Sequence, residues 1–130
     1  MQTVLLVEND AATLVARSLV LRCFGYAVLE ADSRGDAWRA CHEHQGPIHL
    51  ILMSADLDDH SAIEFVTRLR LLHPQMCALL LSAESSPEFP DQQRIPSEYA
   101  LLQIPFRAEA LADAISGLVG ANTRAVSSVA

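Results

Sequence analysis

The chain has 130 residues, one domain's worth, and 51% of them are apolar, which excludes a disordered segment and makes disulfide or metal staples unnecessary for a core. Sixteen acids against nine bases leave a formal charge of −7. The bases are all arginine and widely scattered, so there is neither a basic stripe for nucleic acid nor a lysine ammonium for catalysis, and no apolar run approaches the roughly 18–20 residues of a membrane span.

Thr3–Val7 is a short, continuously apolar run, the pattern of a strand buried on both faces. No basic region precedes it, which speaks against a signal peptide and makes the cytoplasm the expected location. Asn9 or Asp10 is placed to cap a helix with Leu14, Val15, Leu19, Leu21 and Phe24 as its apolar positions and Gly25 as its stop. Tyr26–Ala31 reads as a second strand. Ser33 is placed to cap a second helix that runs to about Gln45, turns Ala37, Trp38 and Cys41 inward and breaks at Gly46-Pro47. His49–Met53 is the clearest strand, and it leads into the acidic stretch Ser54-Ala55-Asp56-Leu57-Asp58-Asp59-His60.

Ser61 opens a third helix to about His73, with Ile63, Phe65, Val66, Leu69 and Leu72 inward, and Pro74 ends it. Cys77–Leu81 is a fourth strand. Pro87, Pro90 and Pro96 leave any helix between Glu84 and Glu98 short or irregular, because each removes a donor and crowds the preceding turn. Tyr99–Gln103 is a fifth strand and Ala108–Val119 a last helix, giving a domain over residues 1–120; residues 121–130 are expected to form a flexible tail.

Strands starting near residues 3, 27, 49, 77 and 100 with helices between them imply a parallel sheet covered on both faces. Ligands of such sheets sit beyond the carboxyl ends of the strands. That edge holds Glu8-Asn9-Asp10, Ser54, Ser82-Ala83 and Ile104-Pro105-Phe106, and no strand is followed by a glycine-rich phosphate loop. Three cysteines without a CxxC, Cys23, Cys41 and Cys77, read as buried reduced thiols. His42 and His44 are two apart on a helix and do not face one another, so they make no metal pair. Ser54 with His60 is the one nucleophile-and-base pair that a small α/β hydrolase would use, but no glycine-flanked elbow surrounds Ser54.

From Thr3 to Val119 the chain resembles the receiver domain of two-component response regulators. The matching segments are Leu5-Leu6-Val7-Glu8-Asn9-Asp10, Ile51-Leu52-Met53-Ser54-Ala55-Asp56-Leu57 with its following helix, Ser82-Ala83, and Ile104-Pro105-Phe106. The resemblance implies a flavodoxin-like (βα)5 three-layer sandwich with a five-stranded parallel sheet in the order 2-1-3-4-5. It also implies phosphorelay signalling, in which an aspartate accepts a phosphoryl group beside Mg²⁺ and a lysine balances the charge. Here the acceptor position is Ser54, the second metal-contacting acid is Asn9 and the lysine position is Ile104; Glu8, Asp10 and Asp56 complete a depleted acidic pocket. Ser82 and Pro105 keep the family's switch hydroxyl and turn, while Leu101 replaces the switch aromatic.

A lone carboxylate is a poor seat for Mg²⁺, and an unactivated hydroxyl is a poor acceptor. The sequence therefore reads as a pseudo-receiver, an interaction module and not an enzyme, without a cofactor and with Mg²⁺ binding weak or absent. Weak phospho-acceptance at Ser54 or Asp56 is the alternative. The partner that the resemblance implies is a histidine kinase or another two-component protein, with a homodimer through the face of the fourth strand and the last helix as a further contact. Neither nucleic acid nor membrane is expected as a partner.

Overall fold

The computed structural model describes residues 2–54, 61–82 and 98–129, with residue 61 and residues 121–129 as backbone only. In chain order it contains β1 (Thr3–Val7), α1 (Ala11–Cys23), β2 (Ala27–Ala31), α2 (Arg34–Glu43), β3 (Leu50–Ser54), α3 (Ser61–Leu69), β4 (Cys77–Ser82), β5 (Tyr99–Gln103) and α4 (Ala108–Val129). The strands form one parallel sheet in the order β2-β1-β3-β4-β5, the flavodoxin-like order. Residues 55–60 and 83–97, which include the proline-rich stretch, lie outside the described residues.

Because successive strand side chains point to opposite faces, the apolar runs feed two separate cores. Leu5, Val7, Ile51, Met53, Ala78 and Leu80 pack with Ala37 and Cys41 of α2 and with Ala62, Val66 and Leu69 of α3. Val4, Leu6, Leu50, Leu52, Leu79 and Leu81 pack with Leu21 of α1 and with Leu111, Ile115 and Val119 of α4. Each such leucine or isoleucine taken out of water is worth about 1.5–3 kcal/mol, enough to offset the ordering of the chain around it. On the first face Tyr99 is buried and its hydroxyl lies 3.0 Å from Thr67 Oγ1 of α3.

Local signals set the element ends. Asp10, not Asn9, caps α1, accepting from the Thr13 N–H at 2.9 Å and the Thr13 hydroxyl at 2.6 Å. Ser33 caps α2 by accepting the Asp36 N–H at 3.0 Å. Gly25 at φ +92° and Gly46 at φ +102° make the left-handed turns out of α1 and toward β3.

Several expectations need correcting. On α1, Leu21 is buried, but Val15, Leu19 and Phe24 are exposed, and the small polar Ser18 is buried in their stead. Trp38 and Leu72 are likewise exposed rather than inward. Trp38 meets the ring of His42 at a centroid distance of 4.8 Å in a tilted contact, and the His42 Nδ1 lies 2.9 Å from the Trp38 carbonyl. Cys41 and Cys77 are core residues and burial pushes the Cys41 thiol up to about 11, whereas Cys23 is exposed. The last helix does not stop at Val119: its backbone continues to Val129, since nothing between Gly120 and Val129 is a proline or other breaker.

Candidate functional site

β1 and β3 are paired through Val7↔Met53, which brings Glu8 and Asn9 on one strand end beside Ser54 on the other. The Glu8 N–H donates to the Ala31 carbonyl at 2.9 Å and so ties the same corner to β2. The resulting cleft, of about 340 Å³, is lined by Val7, Glu8, Asn9, Asp32, Ser33, Arg34, Met53 and Ser54. It sits at the carboxyl edge of the sheet, where the strand order reverses direction around β1 and β3.

Glu8 is fully engaged inside this corner. Its Oε2 takes the Arg17 guanidinium at 2.6 Å and its Oε1 accepts the Asp10 N–H at 3.1 Å. Both side chains of the ion pair are largely removed from water, 16% exposed for Arg17 and 10% for Glu8. The Arg17 guanidinium carbon also lies 5.9 Å from the centroid of the Phe106 ring, just past β5. On the other wall, Arg34 lies 5.5 Å over the Phe65 ring of α3. The cleft is thus lined by two acids, Glu8 and Asp32, and by Arg34, with Arg17 paired to Glu8.

The remaining expected residues are dispersed. Asp10 is spent on the α1 cap and is not among the residues lining the cleft; hydrogen bonds from the Thr13 hydroxyl and N–H hold its carboxyl below the usual range. Ser82 is buried at the end of β4, and its carbonyl accepts the Ile104 N–H at 2.7 Å. The Ile104 side chain joins the α1–α4 core with Phe106, and Leu101 packs against the α2–α3 core. Pro105 is exposed and follows a cis peptide bond. Asp56 and His60 lie outside the described residues.

As a donor set for Mg²⁺, the β1–β3 corner fits poorly: an amide at Asn9, a hydroxyl at Ser54 and a carboxylate already holding a guanidinium do not match a hard ion that is bound through carboxylates. Asp32 is exposed and separated from β3 by β1, and no three His, Cys, Asp or Glu among the described residues group to hold a metal. Four residues of the site were not anticipated: Arg17, Asp32, Ser33 and Arg34. The sequence signal for the first is an arginine at an inner position of α1, in phase with Leu14 and Leu21. For the others it is the polar Asp32-Ser33-Arg34 at the carboxyl end of a strand next to β1.

No protein-family model matches the chain, and no curated protein is similar to it in sequence. Solved structures are. A CheY-like receiver domain from Methanospirillum hungatei JF-1 superposes with a TM-score of 0.78 at 18% identity, covering 95% of this chain and 98% of that one. The chemotaxis protein CheY4 of Vibrio cholerae gives 0.76 at 22% identity over 91% and 98%. This chain has the receiver-domain fold. The same receiver fold extends to a structure described as an adenylate cyclase from Rhodopirellula baltica, with a TM-score of 0.79 at 18% identity over 98% and 93%. At these identities the likeness establishes the receiver fold, while the chemistry of the cleft has to be argued from its own residues. No described helix of this receiver fold is long and apolar enough to cross a membrane.

Proposed function

We propose that the chain is an interaction module of two-component signalling that works without transfer of a phosphoryl group to its third strand. The observation that carries this reading is the pairing of Ser54, at the acceptor position, with a Glu8 whose carboxylate is closed by Arg17. An acceptor in this corner needs a strong nucleophile, a cation for the transferred oxygens and a base or carboxylate to start the attack. Ser54 has no described base beside it, and Ile104 leaves no ammonium at the end of β5.

The module's partner on this reading is a histidine kinase or another two-component protein, met as a protein surface and not as a phosphoryl donor. On the same reading a second copy is a further partner, through the face of β4 and α4. Glu8, Asn9 and Ser54 act as the polar floor of the cleft, and Ser82, Ile104 and Pro105 hold the β4–β5 edge in one arrangement. Incubation with acetyl phosphate and Mg²⁺, read by intact mass, should leave the protein unmodified. A phosphoryl adduct mapped to Ser54 or Asp56 would establish that the cleft still accepts the group.

A further inference from the structure

We infer that Arg17 is the resident cation of Glu8: supplied by α1, it takes the charge role toward this carboxylate that a divalent ion would otherwise have, and so closes Glu8 to metal. This inference rests on reading the cleft as an altered receiver site. Three observations converge on it. The first is the contact itself, with Arg17 Nη1 2.6 Å from Glu8 Oε2 and both side chains largely buried, where solvent and salt screen little. A carboxylate offers about four lone-pair sites; here the guanidinium and the Asp10 N–H already take one on each oxygen. A metal approaching Glu8 meets a carboxylate whose charge Arg17 already balances, and taking both oxygens would displace that largely buried arginine and leave it unpaired, which is costly.

The second observation is the reach of the same guanidinium to Phe106, 5.9 Å from its ring centroid. Phe106 lies two residues beyond Ile104, the position where the resemblance expects the lysine. Arg17 therefore links the end of β1 to the β5–α4 junction. The third is the packing of the partly buried Ile104 against the α1–α4 core, so that position 104 supplies no cation to Glu8. Arg17 is a positioning residue: it acts by holding Glu8 and Phe106, not by touching a substrate.

The test removes the cation while supplying the acids. In the Asn9→Asp/Ser54→Asp protein, Mn²⁺ binding followed by water-proton relaxation should be at least tenfold tighter when Arg17→Gln is added than when Arg17 is kept. Equal affinities with and without Arg17 would overturn the inference. Should the triple variant not fold, a double-mutant cycle in the otherwise native chain decides instead. The urea midpoint lost on Arg17→Gln should largely vanish when Glu8 is already Gln, because the partner is gone. Fully additive losses would mean that Arg17 only packs against Phe106 and would likewise overturn it. Phosphoryl acceptance by the native chain is read in a different assay, so failure of the functional reading and failure of this one are distinguishable.

Discussion

At the amino end of β3 the His49 imidazole accepts the Thr3 N–H through Nδ1 at 2.9 Å, and the His49 N–H donates to the Thr3 carbonyl at 2.9 Å. An accepting ring nitrogen cannot carry a proton, so this bond selects the neutral imidazole. Burial is the largest cause that lowers the His49 pKa from its ordinary 6.5. The sign follows from proton counting. Through the window around and below pH 6.5 the unfolded chain binds more protons than the native one, so stability rises with pH there. The His49 contribution is present above pH 6.5 and is lost as pH falls through the depressed folded value. Urea midpoints measured from pH 7.5 down to 5 should therefore decline. His49→Asn, which keeps a side-chain acceptor that does not titrate in this range, should remove part of that decline. An unchanged slope in the variant would assign the pH dependence to carboxylates elsewhere.

Helix α1 shows at the scale of one element how far periodicity reaches. Its start at Asp10 and its stop at Gly25 are local chemistry, a cap and a left-handed turn, and both were legible. Its rotation was not. Val15 and Leu19 satisfy an apolar stripe as well as Leu14 and Leu21 do, and only the sheet decides which stripe is inward. The sheet takes Leu14, Arg17, Ser18 and Leu21, because that face carries the arginine that Glu8 needs and the Ser18 hydroxyl that accepts from Arg22 Nε at 3.1 Å. Leu21→Ala should thus cost about 2–5 kcal/mol in chemical denaturation, as for a buried leucine. Leu19→Gln, at a position 60% exposed, should stay within about 0.5 kcal/mol of the native chain. Equal losses at the two positions would contradict the observed rotation. The inner strands were easier to read: β1, β3 and β4 are apolar runs up to their last residues because both faces are covered, so no choice of face arises. The site was legible to the same degree. Glu8, Asn9 and Ser54 follow from strand ends in a parallel sheet, whereas Arg17 pairs with Glu8 across a turn and half a helix, a distance no strand-end rule spans.

Across the whole molecule the 2-1-3-4-5 order sets the corner at β1, the end of β3 and the end of β5 along one carboxyl edge of the sheet. Ile104 shares the α1–α4 core with Leu111 and Ile115, while Glu8 is already balanced by Arg17. A lysine at position 104 must then leave the core, and the Glu8 carboxylate is already balanced. Ile104→Lys in the native chain should cost about 1–2 kcal/mol, the scale of losing a partly buried apolar side chain. In the Asn9→Asp/Ser54→Asp background the same substitution meets two carboxylates that lack a cation, and its cost should shrink by at least about 0.5 kcal/mol, a coupling of the size expected for groups sharing one network. Denaturation of the four proteins of this cycle measures it directly. If Ile104→Lys costs the same in both backgrounds, positions 9, 54 and 104 are electrostatically independent, and their joint departure from the receiver pattern has to be explained one residue at a time. If the cost shrinks, the neutral residues at these positions are a matched set: removing acids from β1 and β3 is what makes an apolar side chain at the end of β5 the stabler choice.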